Sequence, residues 1–183
     1  MAGRPIALLV LTALIGSSCT NALPSPRAPG STLPVVVSIR VGTAVVTVSP
    51  SSTPGPGCSP EQVAKRIQGF LAAFNAGDQT ALAATFDRSL NFSEPNPLPP
   101  TLFTAYGAQQ LLDYFAGRHA QHESRQLVTL QLSYGAQGDR DRIDFGYDIQ
   151  RTADDTNDLA PGKGQMSCAT GTMSVWQMGS SRR

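Results

Sequence analysis

The chain has 183 residues, with fourteen Lys and Arg against thirteen Asp and Glu and a formal net charge of +1. It has no basic stripe or polybasic cluster, which argues against nucleic acid and anionic lipid headgroups as partners. A single folded domain is expected at this length.

Residues 1–18 carry one charged side chain, Arg4, and an apolar run over residues 6–15, broken only by Thr12, ahead of Gly16, Ser17, Ser18 and Cys19. A run this short reads as a secretory signal peptide rather than a membrane span of about 20 residues. Cys19 directly after small residues resembles the bacterial lipobox, in which the signal is cut before a cysteine that is then diacylated. Gly16 departs from that pattern, since a large aliphatic residue usually stands there. The resemblance implies export and anchorage at the membrane surface through Cys19, the alternative being a secreted protein cleaved near the same point. Loss of Arg4 with the signal leaves thirteen charges of each sign.

Residues 19–57 are rich in Pro, Ser, Thr and Gly and read as an extended tether, because such a segment buries too little surface to offset its ordering entropy. Residues 35–48, VVVSIRVGTAVVTV, are the exception, β-branched enough for a strand or a hairpin turning near Gly42. They fit either an added edge strand or a spacer, and the spacer is the preferred reading. The folded unit is placed at residues 58–179, followed by a tail at 180–183.

Residues 59–87 predict two amphipathic helices. Val63, Ile67, Phe70, Leu71 and Phe74 recur at three- and four-residue intervals, Ser59 and Pro60 suit the helix start, and Gly77 suits its end. Asp78 then caps a second helix that turns Leu82 and Phe86 inward. A short strand over residues 90–93 and an irregular proline-rich stretch over 94–100 follow, then a third helix over 107–121. The remainder is β. Residues 126–134 place Val128, Leu130, Leu132 and Tyr134 on one face, and residues 141–151 do the same with Ile143, Phe145, Tyr147 and Ile149. A polar loop over 152–162 leads to strands at 163–168 and 172–178, giving an antiparallel meander. With Cys19 lipidated, Cys58 and Cys168 are left as a pair in an oxidising compartment, and a disulfide between them would close nearly the whole domain; the alternatives are two free thiols, or a metal site, which lacks a His or further Cys at ligand spacing.

This order of elements, with FLAAFNAGDQTALAATFD at residues 70–87, the helix over 107–119 and the closing 163–178 with Trp176, resembles the NTF2-like or SnoaL-like superfamily over about residues 59–178. The resemblance implies an α+β cone, with a curved antiparallel sheet wrapped around a long N-terminal helix and an apolar pocket between them. It does not imply one reaction, since the fold hosts isomerases, dehydratases, cyclases and non-catalytic binding domains.

Catalytic members of that family place an acid/base pair in the cone. Here the first helix offers Phe70 and Phe74 and no tyrosine, and the closing strand has no acidic residue. The expected pocket lining is Phe70, Phe74, Tyr106, Phe115, Tyr134, Phe145, Tyr147 and Trp176, with no catalytic residue assigned. Asp144 and Asp148 read as an outer face. His119, His122 and Glu123 read as surface groups rather than metal ligands, and no metal or cofactor is expected. The reading is therefore a binding module of the cell envelope for a small apolar ligand or an envelope protein, with a homodimer through the sheet as a further partner; the alternative is an isomerase, cyclase or dehydratase of SnoaL type.

Overall fold

The computed structural model describes residues 36–49, 54–96, 101–134, 141–154 and 157–180. The signal peptide, Cys19, most of the tether and residues 181–183 lie outside them. The chain divides into residues 1–33 and 34–183, and every described residue belongs to the second unit.

Eight strands and three helices follow one another as β1 (Val37–Val41), β2 (Ala44–Val48), α1 (Pro60–Ala76), α2 (Gln79–Thr85), β3 (Phe86–Asn96), β4 (Thr101–Ala105), α3 (Ala108–Ala120), β5 (Ser124–Tyr134), β6 (Arg142–Thr152), β7 (Asn157–Ser167) and β8 (Met173–Met178). They form one sheet in the order β1-β2-β5-β6-β7-β8-β3-β4. This is an α+β fold. The sheet is mixed rather than antiparallel throughout, because β2 lies parallel to β5 and β3 parallel to β8, on either side of the predicted β5–β8 meander. Hairpin logic applies only to strands adjacent in sequence, and both parallel junctions join strands that are not.

The helix ends follow from the sequence. Ser59 Oγ accepts from Gln62 N–H while the Gln62 side chain accepts from Ser59 N–H, a capping box with Pro60 at the first position. At the far end Gly77 takes φ 67°, and Asp78 N–H reaches Ala73 O in a Schellman closure. Helix α3 closes in the same way, with Glu123 N–H on Arg118 O, but its left-handed residue is His122, at φ 55°. That turn carries Glu123 inward.

Four expectations are corrected. Residues 36–48 are no spacer: Val37–Val41 and Ala44–Val48 form a hairpin through Gly42, and Ala44 and Val46 are fully buried against the sheet. The stretch 94–96 continues β3, with Pro95 opposite Leu102, and residues 97–100 lie outside the described ones. Asn157–Gly162, expected as loop, is the first half of β7 because it pairs along the whole end of β6. Finally, a register shift between Leu127 and Thr129 turns Leu127 inward and leaves Val128 37% exposed, since a bulge reverses the alternation on either side of itself.

Cys58 and Cys168 are joined by a disulfide that ties the entry to α1 to the end of β7. Beside it the Tyr134 hydroxyl donates to Cys58 O at 2.8 Å.

Candidate functional site

The face of the sheet that meets α1 and α3 carries charge at its centre. Glu94, two residues beyond the buried Phe92 on β3, is fully buried and accepts four hydrogen bonds. Arg125 Nη1 (2.7 Å) and Trp176 Nε1 (2.9 Å) reach Oε1, while Arg125 Nη2 (2.8 Å) and the Tyr114 hydroxyl (3.1 Å) reach Oε2. Arg125 also donates through Nε to Glu123 Oε1 at 2.6 Å, and the other Glu123 oxygen takes the Nε of Arg118. A chain of alternating charge, Glu94, Arg125, Glu123 and Arg118, is therefore closed off from water. Its guanidinium at Arg125 lies 4.0 Å over the Phe74 ring, adding a cation–π contact. Asn75 at the end of α1 fixes the same residue by its backbone, its side chain accepting from Arg125 N–H at 2.8 Å and donating to Arg125 O at 3.0 Å.

These bonds reveal the shape of the sheet. β3 and β5 stand four places apart, about 19 Å on a flat sheet at ~4.8 Å per strand, which is further than a Glu and an Arg side chain reach together. The sheet therefore curls toward the helices.

Burial works against the charge of Arg125, but the Glu94 and Glu123 carboxylates beside it outweigh that effect and hold its pKa above the ordinary arginine value. Burial raises the Tyr114 phenol, and the Glu94 charge adds to it. Tyr147 is raised for the same two reasons in the same order. Both phenols are thus held neutral.

Of the eight expected pocket residues, Phe70, Phe74, Phe115, Tyr134, Phe145, Tyr147 and Trp176 are buried, and Tyr106 is 88% exposed. The buried rings pack on one another. Phe70 meets Trp176 at 4.8 Å and Phe86 at 5.2 Å, Phe115 meets Phe74 at 5.5 Å, and Tyr147 stacks on Trp176 at 4.2 Å. The Tyr147 hydroxyl donates to Gln177 O, so it too has a partner. Asp144 and Asp148 lie on the other face, bonded to Gln165 and Thr129. His119 is exposed, and the exposed His122 pairs with Asp154, whereas Glu123 is buried between two arginines rather than at the surface. No group of three or more His, Cys, Asp or Glu side chains suited to a metal occurs among the described residues.

Two of the hollows among the described residues are the larger ones beside this interior. One, of about 240 Å³, opens between α2, β3, β4 and α3, with Leu82, Phe86, Leu90, Leu111 and Leu112 in its wall and Tyr106 in its lining. The other, of about 680 Å³, spreads over the outer face of the sheet across Gln131, Asp144, Lys163, Gln165 and Gln177.

The charged cluster escaped the sequence reading although alternation marks it. Phe92 and Glu94 share a strand face, as do Glu123, Arg125 and Leu127. Isolated charges within apolar strands read as solvated unless their partners are known, and here the partners come from strands and helices distant in sequence.

No family model and no curated protein matches the chain. Among solved structures it is similar to a protein of unknown function with a cystatin-like fold from Methylobium petroleophilum PM1, at 15% identity and a TM-score of 0.52, over 70% of this chain and 82% of that one. It is also similar to a putative ketosteroid isomerase from Shewanella frigidimarina (9% identity, TM-score 0.49, 64% of this chain and 94% of that one). A putative dehydratase of the NTF2-like family from Streptomyces avermitilis follows (13% identity, TM-score 0.46, 64% and 92%). At these identities the first likeness is one of fold alone.

Proposed function

We propose that the protein is a non-catalytic binding domain of the cell envelope, exported by residues 1–18 and anchored through Cys19, that takes a small apolar ligand in the hollow between α2 and α3. One observation carries the non-catalytic part. A carboxylate offers about four acceptor positions, and all four on Glu94 are occupied by Arg125, Trp176 and Tyr114, so the most deeply placed acid has no lone pair left for a substrate proton. The apolar wall of the 240 Å³ hollow supports the ligand class. An envelope protein and a second copy through the outer sheet face are the other partners this reading admits.

Native mass spectrometry of protein purified from its own host tests it. A retained apolar small molecule is expected, and it should be lost in Leu111→Trp, which fills the hollow. An empty wild-type protein, or retention unchanged in that variant, would overturn the assignment of the hollow. Anchorage is tested by acyl-label incorporation, which Cys19→Ala should abolish.

The second reading, an isomerase, cyclase or dehydratase, rests on the Tyr114 hydroxyl at 3.1 Å from Glu94 Oε2: turned to a substrate oxygen, it would vacate one acceptor position on that carboxylate. Turnover of a small carbonyl compound that disappears in a folded Tyr114→Phe variant would move the conclusion to it.

A further inference from the structure

Three glycines stand within the strands, Gly146 on β6 and Gly162 and Gly164 on β7. Two of them make room for side chains, since a Cβ on Gly162 or Gly164 would strike the ring of Tyr147 or Phe145. Gly146 has no such duty. A Cβ there would meet nothing nearer than Gly162 O at 3.8 Å and the Gln131 side chain at 3.9 Å, which are ordinary contact distances. Glycine weakens a strand interior, and where packing within the chain does not require it, it marks a place that a ligand approaches closely. Gly146 lies in the outer face of the sheet and lines the hollow of about 680 Å³. A row of residues runs through it across six strands: Thr47, Gln131, Gly146, Lys163, Gln177 and Ser93 stand opposite one another in turn. A second row beside it holds Asp144, Gln165, Val175 and Asn91. Bonds within the face hold its amides in place, from Gln165 Nε2 to Asp144 Oδ1 at 2.9 Å and from Gln177 Nε2 to Asn91 Oδ1 at 3.3 Å.

The composition of these rows limits what the ligand is. Together they carry one cation and one anion, Lys163 and Asp144, where a merely solvated face is dense in both. Their charges cancel, so the face has no net field to hold an anionic polymer. Amides and hydroxyls supply most of the rest, and each offers donor and acceptor in one group, the pairing that a sugar hydroxyl needs. Members of a row recur every ~4.8 Å across the strands, close to the length of one pyranose unit in an extended glycan. We infer that the outer face of the sheet binds an uncharged, unbranched oligosaccharide, laid across the strands over Gly146. This position is separate from the hollow between α2 and α3 and does not depend on what that hollow holds.

The test uses the whole protein and three probes: cellohexaose, cellobiose, and a hyaluronan hexasaccharide, which matches the first in length and carries carboxylates. Binding is followed by the backbone amide resonance of Gly146 and the side-chain amides of Gln131 and Gln177. Cellohexaose is expected to shift them saturably and to bind about tenfold more tightly than cellobiose, as one or two further hydrogen bonds imply. Hyaluronan should bind more weakly than cellohexaose. Gly146→Val, a change that suits a strand, should keep or raise the unfolding midpoint and abolish binding. Should that variant not fold, Gln131→Ala, at an exposed side chain, decides instead, with an expected loss of about fivefold. Equal binding of the two cello-oligosaccharides, hyaluronan binding as tight as cellohexaose, resonances that respond to no probe, or unchanged affinity in the folded variant would each overturn the inference. So would shifts that follow protein concentration without sugar, the sign of a second copy on this face.

Discussion

The Glu94 carboxylate and the Arg125 guanidinium meet as a two-pronged pair, 2.7 and 2.8 Å, across an interior whose two sides are strands four places apart. The pair is dry, and each member is held by further partners. Replacing either member alone strands the other as a buried, underpaired charge. Arg125→Met should therefore destabilise the protein by roughly 3–5 kcal/mol, measured by urea unfolding. The double variant Glu94→Leu with Arg125→Met should lose less than the sum of the singles; additive losses would mean that the two groups are not coupled.

The phenols give the pH dependence. Burial pushes Tyr134 up to about 12 from 10.0, and the Glu61 charge adds to it. Folding favours the neutral phenol, so the stabilisation is complete below pH 10.0 and is lost as pH rises toward about 12. Ultraviolet titration of phenolate should find Tyr114 and Tyr147 ionising only as the protein unfolds. Tyr134→Phe should flatten the fall in stability across that window, and an unchanged slope would remove Tyr134 as its cause.

The disulfide closes a loop of sequence separation 110, for which loop entropy places the stabilisation near ~4–5 kcal/mol. Thiol labelling of denatured, unreduced protein should reach neither Cys58 nor Cys168. The Cys58→Ala, Cys168→Ala double variant should unfold at distinctly lower urea, and it should do so to the same extent under reducing conditions.

Two glycines of β7 make room for rings of β6. A Cβ on Gly162 would fall 2.1 Å from the Tyr147 ring, and one on Gly164 would fall 2.3 Å from that of Phe145. Gly162→Ala should displace Tyr147 from its stack on Trp176 and destabilise by about 1–3 kcal/mol. Near-ultraviolet circular dichroism and the unfolding midpoint should change together; a midpoint within error of wild type would show that the ring has another place to go.

The hairpin at residues 37–48 is part of the sheet. Val46, opposite Leu130 and fully buried, should not tolerate a charge, and Val46→Asp should lose several kcal/mol, whereas Val45→Asp at its 37% exposed neighbour should cost little. Equal tolerance at the two positions, read by thermal unfolding, would argue that the hairpin leaves the sheet in solution.

Local patterns were the part of this fold that could be read from the chain. Ser59, Pro60 and Gly77 specify the ends of α1 through bonds to residues within five positions, and the alternation of Ile143 through Ile149 specifies a face of β6 without reference to any partner. What could not be read depends on distant pairing. Pro95 looked like a strand breaker, yet Leu102 lies opposite it in the ladder. Val128 looked buried because the bulge beside it is a property of two strands rather than one. Among the candidate site residues the rings were legible as apolar, but Glu94, Arg118 and Arg125 were not, because a charge is buried only when its counter-charges are supplied from elsewhere.

The parallel junction of β3 with β8 orders events in time. β3 and β4 join the rest of the sheet only through β8, which begins at Met173. A chain made N-terminus first therefore carries Glu94 for some eighty residues before Trp176 is synthesised, and until then β3 has no strand but β4 to pair with. The sheet cannot close on a nascent chain still held at its last residues.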